Sequence, residues 1–139
     1  MIKAFSGKFH LEWYKKVAST VFAENDLCYI DTDGYLTPAV DGTLFKPAGL
    51  IQKVIAATDS DYADNTLVPV QVPNEVDCEF LCDVGTGTAA QTDIGEHIDI
   101  DDAANVDVDT STYDVFHVTG IVSTSKVIAK LNYKGGAVA

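Results

Sequence analysis

Apolar and polar residues alternate with a period of two over much of this chain, and that alternation predicts strands. In "LVPVQVP", Val68, Val70 and Val72 share one face, with Pro69 and Pro73 on the other parity, as an edge or strand end would need. "EVDCEFLCDV" continues the rhythm: Val76, Cys78, Phe80, Cys82 and Val84 point inward, Asp77, Glu79 and Asp83 outward, and Leu81 is the exception. "EHIDIDD" and "VDVD" repeat it, with Ile98, Ile100, Val106 and Val108 inside. His97, Asp99, Asp101, Asp107 and Asp109 fall on the wet face, where acidic side chains discourage edge-to-edge pairing. "LCYIDTDGYLTPA" reads as a hairpin, turning at "DTDG" and covered on both faces along Leu27–Ile30. "AGLIQKVIAATD" is β-branched enough to be a strand, with "DSDYADN" as the loop after it. "DVFHVTGIV" and "SKVIAKLNY" form a closing pair turning at "STS".

The predicted fold is all-β, a small barrel or sandwich of about seven to nine short strands with an extended N-terminal arm. The expected division is an arm at 1–20, a β domain at 21–134 and a flexible tail at 135–139. The arm also reads as a first strand. It holds Lys3, Lys8, Lys15 and Lys16, interleaved with Phe5, Phe9, Trp13 and Tyr14.

Composition narrows the function. Lys+Arg total 9 against Asp+Glu 21, a formal charge of −12, and every one of the cations is lysine. That argues against nucleic acid, which favours the arginine fork, and against an anionic membrane surface. At 139 residues and 47% hydrophobic, the chain can bury one core. No apolar run is long enough for a membrane span or signal peptide. The three cysteines, Cys28, Cys78 and Cys82, are irregularly spaced and suit a reducing cytoplasm.

Motifs for chemistry fall short. "DTDG" resembles part of a calcium loop, yet its first and last ligand positions fall on Tyr29 and Val40. Asp101, Asp102, Asn105 and Asp107 could converge on a weak calcium, although a solvated acidic turn explains them. "GTGTAA" places Gly85, Gly87 and Ala90 as a dinucleotide fingerprint would, but the residues that follow are poor helix formers. For zinc, Cys78 and Cys82 lie on one strand roughly 13 Å apart from rise alone, and His97 and His117 sit in strands with opposite surroundings. Ser123 and Lys126 match S-x-x-K, but across a strand turn where that motif needs a helix. No catalytic residue, cofactor or metal ligand is therefore expected, and the chain is not read as an enzyme. A calcium- or carbohydrate-binding β module is the alternative, with Tyr62 beside Asp59, Asp61 and Asp64 as its aromatic platform.

In "LCYIDTDGYLTPA" followed by "AGLI", in "VPVQVP", and in the closing "DVFHVTGIVSTSKVIAKLNY", the chain resembles the capsid decoration, or head-stabilising, proteins of tailed bacteriophages. The resemblance spans about residues 20–133. It implies a structural virion protein, made in the host bacterial cytoplasm and placed on the capsid exterior. Such a protein bridges major capsid protein subunits and self-associates, commonly as a homotrimer. Its N-terminal arm would make the contact, through Phe5, Phe9, Trp13, Tyr14, Lys15 and Lys16. A different virion or tail β module is the nearest rival.

Overall fold

A computed structural model describes residues 1–41 and 46–132; the expected tail at 135–139 lies outside the described residues. The protein is all-β, and its eleven described strands form two sheets. The first sheet contains β1 (Ile2–Ser6), β7 (Glu79–Thr86), β8 (His97–Ile100), β9 (Asn105–Asp107), β10 (Phe116–Ser123) and β11 (Lys126–Leu131). Its order is β1-β7-β11-β10-β8-β9, and a further parallel pairing of β9 with β7 closes five of the strands into a barrel. β1 and β9 share one edge of β7: β1 pairs with Glu79 to Cys82 and β9 with Asp83 to Thr86.

The second sheet runs β2-β6-β5-β3-β4. It is built from β2 (Phe9–Lys15), β3 (Leu27–Ile30), β4 (Leu36–Pro38), β5 (Lys46–Ile51) and β6 (Leu67–Pro73). It curls until a single bridge, Lys16 to Leu36, joins its two edges at one end. The β3–β4 turn is held by Asp31, which accepts the N–H groups of Asp33 and Tyr35, each at 2.9 Å, and the Thr37 hydroxyl at 3.2 Å. These bonds, the one from Tyr35 foremost, hold the Asp31 carboxyl below the usual carboxylate range. The "DTDG" aspartate is thus occupied in turn formation.

Two apolar clusters follow from this arrangement. The first fills the barrel with Phe80, Cys82, Ile98, Ile100, Phe116, Val118, Val127 and Ala129. It continues onto the outer face of the second sheet through Leu27 and Leu50. Phe80 anchors it, with edge-on rings of Phe9 at 5.5 Å and Phe116 at 5.9 Å. The second cluster lies inside the curled sheet: Cys28, Leu36, Ile51, Val68 and Val70, closed at one end by Phe22 and Ile55. Burial pushes the thiols of Cys28 and Cys82 up, and all three cysteines are free and buried. Among the described residues no helix is long and apolar enough to cross a membrane.

Several expectations need correction. Residues 1–20 do not stand off as an arm. Ile2 is fully buried in the barrel core, and β1 and β2 each join a different sheet, so this segment ties the two sheets together. Those strands bring the count above the expected seven to nine. Val76 is exposed and Cys78 precedes the strand, because β7 begins only at Glu79, after a turn. β6 is a central strand despite Pro69. The carbonyl of Pro69 accepts the Gln52 N–H at 2.9 Å, so its nitrogen also faces β5, where the ladder has already ended at Ile51 and Val70. Asp99 and Asp107, placed on the wet face by alternation, are buried. The loop after β9 folds over that face and covers them.

Candidate docking surface

β2 places Phe9, Leu11, Trp13 and Lys15 on one face, and its ladder sets them opposite Pro73, Gln71, Pro69 and Leu67 of β6. Phe9 turns into the core against Phe80. Beyond Phe9 the barrel no longer covers this face. Leu11, Trp13 and Leu67 are 57%, 59% and 56% exposed. They form an apolar shelf with Pro69 directly across from Trp13, and Lys15, across from Leu67, adds a cation. Adjacent exposed apolar side chains of this kind mark interaction surfaces more than isolated ones do. β2 is also an edge of its sheet: among the described residues its ladder is with β6, and its other side is bridged to β4 just past its end, at Lys16 and Leu36.

The six residues expected to make a partner contact divide. Trp13 and Lys15 lie on the shelf, and Phe5 is exposed on β1 at a bulge between Ala4 and Ser6. Phe9 belongs to the core. Tyr14, on the opposite face, is half-buried at the open mouth of the curled sheet. It lines a groove of about 540 Å³ with Ile30, Ala48, Val72 and Val76. Burial, and then the charge of Glu12, push its hydroxyl pKa up. Lys16 is fully buried; its Nζ donates to the carbonyl of Tyr62 at 3.0 Å and to that of Asp64. Lys15 and Lys16 part company because neighbours on a strand point to opposite faces. Leu11 and Leu67 were absent from the expected set. Their signal was legible: Leu11 shares the parity of Trp13, and Leu67 has the parity opposite to the buried valines.

The aspartate-rich segment is a hydrogen-bonded scaffold. Asp99 accepts N–H bonds from Thr112 at 3.0 Å and from Tyr113 and Asp114 at 2.8 Å, and its Oδ2 also takes the Thr110 hydroxyl. Asp107 shares that hydroxyl at 3.1 Å and accepts the Asp109 N–H. Asp102 accepts the Ala104 N–H and the Asn105 amide. Thr86 donates to Asp101 at 2.9 Å. Burial nevertheless raises the Asp101 pKa against that bond, with the charges of Asp107, Asp102 and Asp41 adding to it. Among the described residues no group of three or more His, Cys, Asp or Glu side chains is arranged to hold a metal.

Other sequence candidates resolve locally. In "GTGTAA", a side chain at Gly85 would collide with the Asp101 carboxylate. Gly87 has φ +88, and a Cβ there would lie 2.6 Å from Asp109. These glycines make room for aspartates, and only a three-residue 3-10 turn, Gln91–Asp93, follows them. Tyr62 packs against the second core cluster and is no open platform. Asp61 pairs with Lys53 at 3.0 Å, and Asp59 accepts the Ala56 N–H. Ser123 and Lys126 face each other across the β10–β11 turn, and Lys126 pairs with Asp83 at 2.8 Å. His97 and His117, expected in opposite surroundings, are direct cross-strand neighbours.

No protein-family model matches this chain, and no curated protein matches it in sequence.

Proposed function

We propose that this chain is a structural docking protein, and that it works as a decoration protein on the outer surface of a tailed-phage capsid, bridging major capsid protein subunits. The observation that carries the docking reading is the shelf of Leu11, Trp13 and Leu67 on an edge sheet, apolar and open on a chain of charge −12. Tryptophan at the centre of such a patch is a frequent energetic anchor. The choice of capsid partner rests on the resemblance in the hairpin, in "VPVQVP" and in the closing strand pair. The mechanism is repeated burial of small apolar areas over many copies, without chemistry, in a homotrimer or a similar local assembly.

Co-sedimentation with expanded, empty capsids of the phage that encodes the chain tests this. The expected result is saturable pelleting at a fixed ratio to the major capsid protein, and that ratio reports the symmetry of the site. Absence of pelleting by folded protein overturns the capsid assignment. Binding to isolated tails in place of heads assigns the chain to the tail.

A further inference from the structure

The β8–β10 seam of the barrel is short, as is β8–β9. β8 and β10 pair through Phe116 with Ile98 and His117 with His97, extended by the backbone bonds of Val118 to Glu96 and of Gly95 to Val118, whereas β10 and β11 pair along their whole length. Phe116 and Ile98 point into the core, so the two histidines stand side by side on the outer face of that seam. Their ring centroids are 5.0 Å apart, and the ring planes are tilted by 58°, which is no face-to-face stack. Two imidazoles bound to one ion, at metal–nitrogen lengths of about 2.0–2.1 Å and a bond angle of about 90–110°, place their centroids roughly 4.5–5.2 Å apart. The observed spacing falls inside that window.

The surroundings favour a cation on one side. His97 lines a polar groove of about 290 Å³ with Asp93, Glu96 and Asp109, whose carboxylates raise the local concentration of cations. On the other side Lys130 stands across from His117, an opposing charge that keeps affinity modest. Two nitrogen donors on rigid strands select borderline first-row ions, in the order Cu²⁺ above Ni²⁺ and Zn²⁺, over Ca²⁺ or Mg²⁺.

We propose that His97 and His117 form a two-imidazole site for a divalent transition-metal ion, which clamps β8 to β10 across the seam of the barrel. Water completes the coordination shell, since among the described residues no group of three ligating side chains is in place. The ion acts on stability: by binding the folded state alone it raises the unfolding midpoint.

The test titrates Cu²⁺ into the full chain at neutral pH, read by calorimetry, thermal unfolding and the nitrogen hyperfine pattern of the bound ion. The expected result is one ion per chain with two imidazole nitrogens, and a higher unfolding midpoint. His97→Gln and His117→Gln should each weaken binding at least tenfold and abolish the rise. His10→Gln, which removes the third histidine of the sequence, should change neither. His97 is exposed, so His97→Gln keeps the test valid even if His117→Gln fails to fold. Unchanged binding in His97→Gln, a signal with one or no imidazole nitrogen, or equal competition by Ca²⁺ would overturn the proposal.

Discussion

The Asp99 carboxylate accepts the backbone N–H of Tyr113 at 2.8 Å, fourteen positions along the chain, and is buried by the loop it holds. It takes the N–H of Thr112 and of Asp114 as well, so three consecutive backbone donors converge on one side chain. Asp114 sits at φ +52, a conformation this anchoring sustains. Asp99→Ala would strand those donors beneath the loop and should cost about 3 kcal/mol or more in urea unfolding. Asp99→Asn keeps one acceptor oxygen and should lose clearly less. Equal losses would mean that the packing of the loop, and not its hydrogen bonds, sets the cost.

Lys16 holds the end of the curled sheet in a similar way. Its ammonium group satisfies two loop carbonyls, while its own backbone donates to Thr66 at 3.0 Å and accepts from the Asn65 amide at 2.9 Å. Lys16→Met retains the buried stem but leaves the Tyr62 and Asp64 carbonyls without that donor. A loss of about 2–3 kcal/mol is expected by chemical denaturation. Lys15→Met, one residue away on the exposed face, should stay within about 0.5 kcal/mol.

These two residues show what the sequence could and could not convey. Strand alternation located β6 to the residue and named the apolar interior around Phe80, Cys82, Ile98 and Ile100. Alternation reports parity alone, however, and Asp99 and Lys16 are buried by loops that come from elsewhere in the chain. A polar residue on the outer parity of a strand looks solvated until another segment is known to fold over it. The same limit separated His97 from His117, since pairing partners depend on strand order, which no local pattern encodes. On the shelf, Trp13 was legible as an aromatic among lysines. Phe9, of the same parity, was lost to the core because only the packing of two sheets decides where cover stops.

Gly49 marks a close approach of two neighbouring strands, β5 and β6. It lies in a bulge of β5, with φ +149, and a Cβ there would run into the carbonyl of Gln71 on β6. That neighbour is backbone and cannot swing aside. Gly49→Ala should therefore cost about 3 kcal/mol and reduce soluble yield. Gly95, at φ +91 with open space around it, is the control. Gly95→Ala should lose only about 1–2 kcal/mol, the strain of its backbone conformation.

Trp13 separates docking from folding. At 59% exposure, Trp13→Ala should leave the unfolding midpoint almost unchanged while weakening the proposed capsid binding by about 2 kcal/mol or more. Leu11→Asp, on the same face, should do likewise. If Trp13→Ala unfolds the isolated protein, the residue is a core element and the shelf is not a docking surface.

Asp83 makes stability depend on acid. The Lys126 ammonium at 2.8 Å, followed by the Met1 amino group at 2.6 Å, holds its carboxyl below the usual carboxylate range. A carboxyl whose pKa is lower folded than unfolded contributes stability above its unfolded value, about 3.9, and loses it as pH falls toward the folded value. Asp26 and Asp101 work in the opposite sense. Burial foremost raises both, so their contribution is present below the unfolded value and fades as pH rises through the folded one. Asp83→Asn should therefore lower the unfolding midpoint at pH 6 and have a smaller effect at pH 2.5, below the unfolded value, where part of the charge-dependent contribution is lost. The partly exposed position keeps the effect small and sensitive to salt. Thermal unfolding of wild type and variant across pH 2.5–6 reads the difference directly. A gap between them of the same size at both ends would show that the Asp83 contribution comes from shape and neutral hydrogen bonding, and not from its charge.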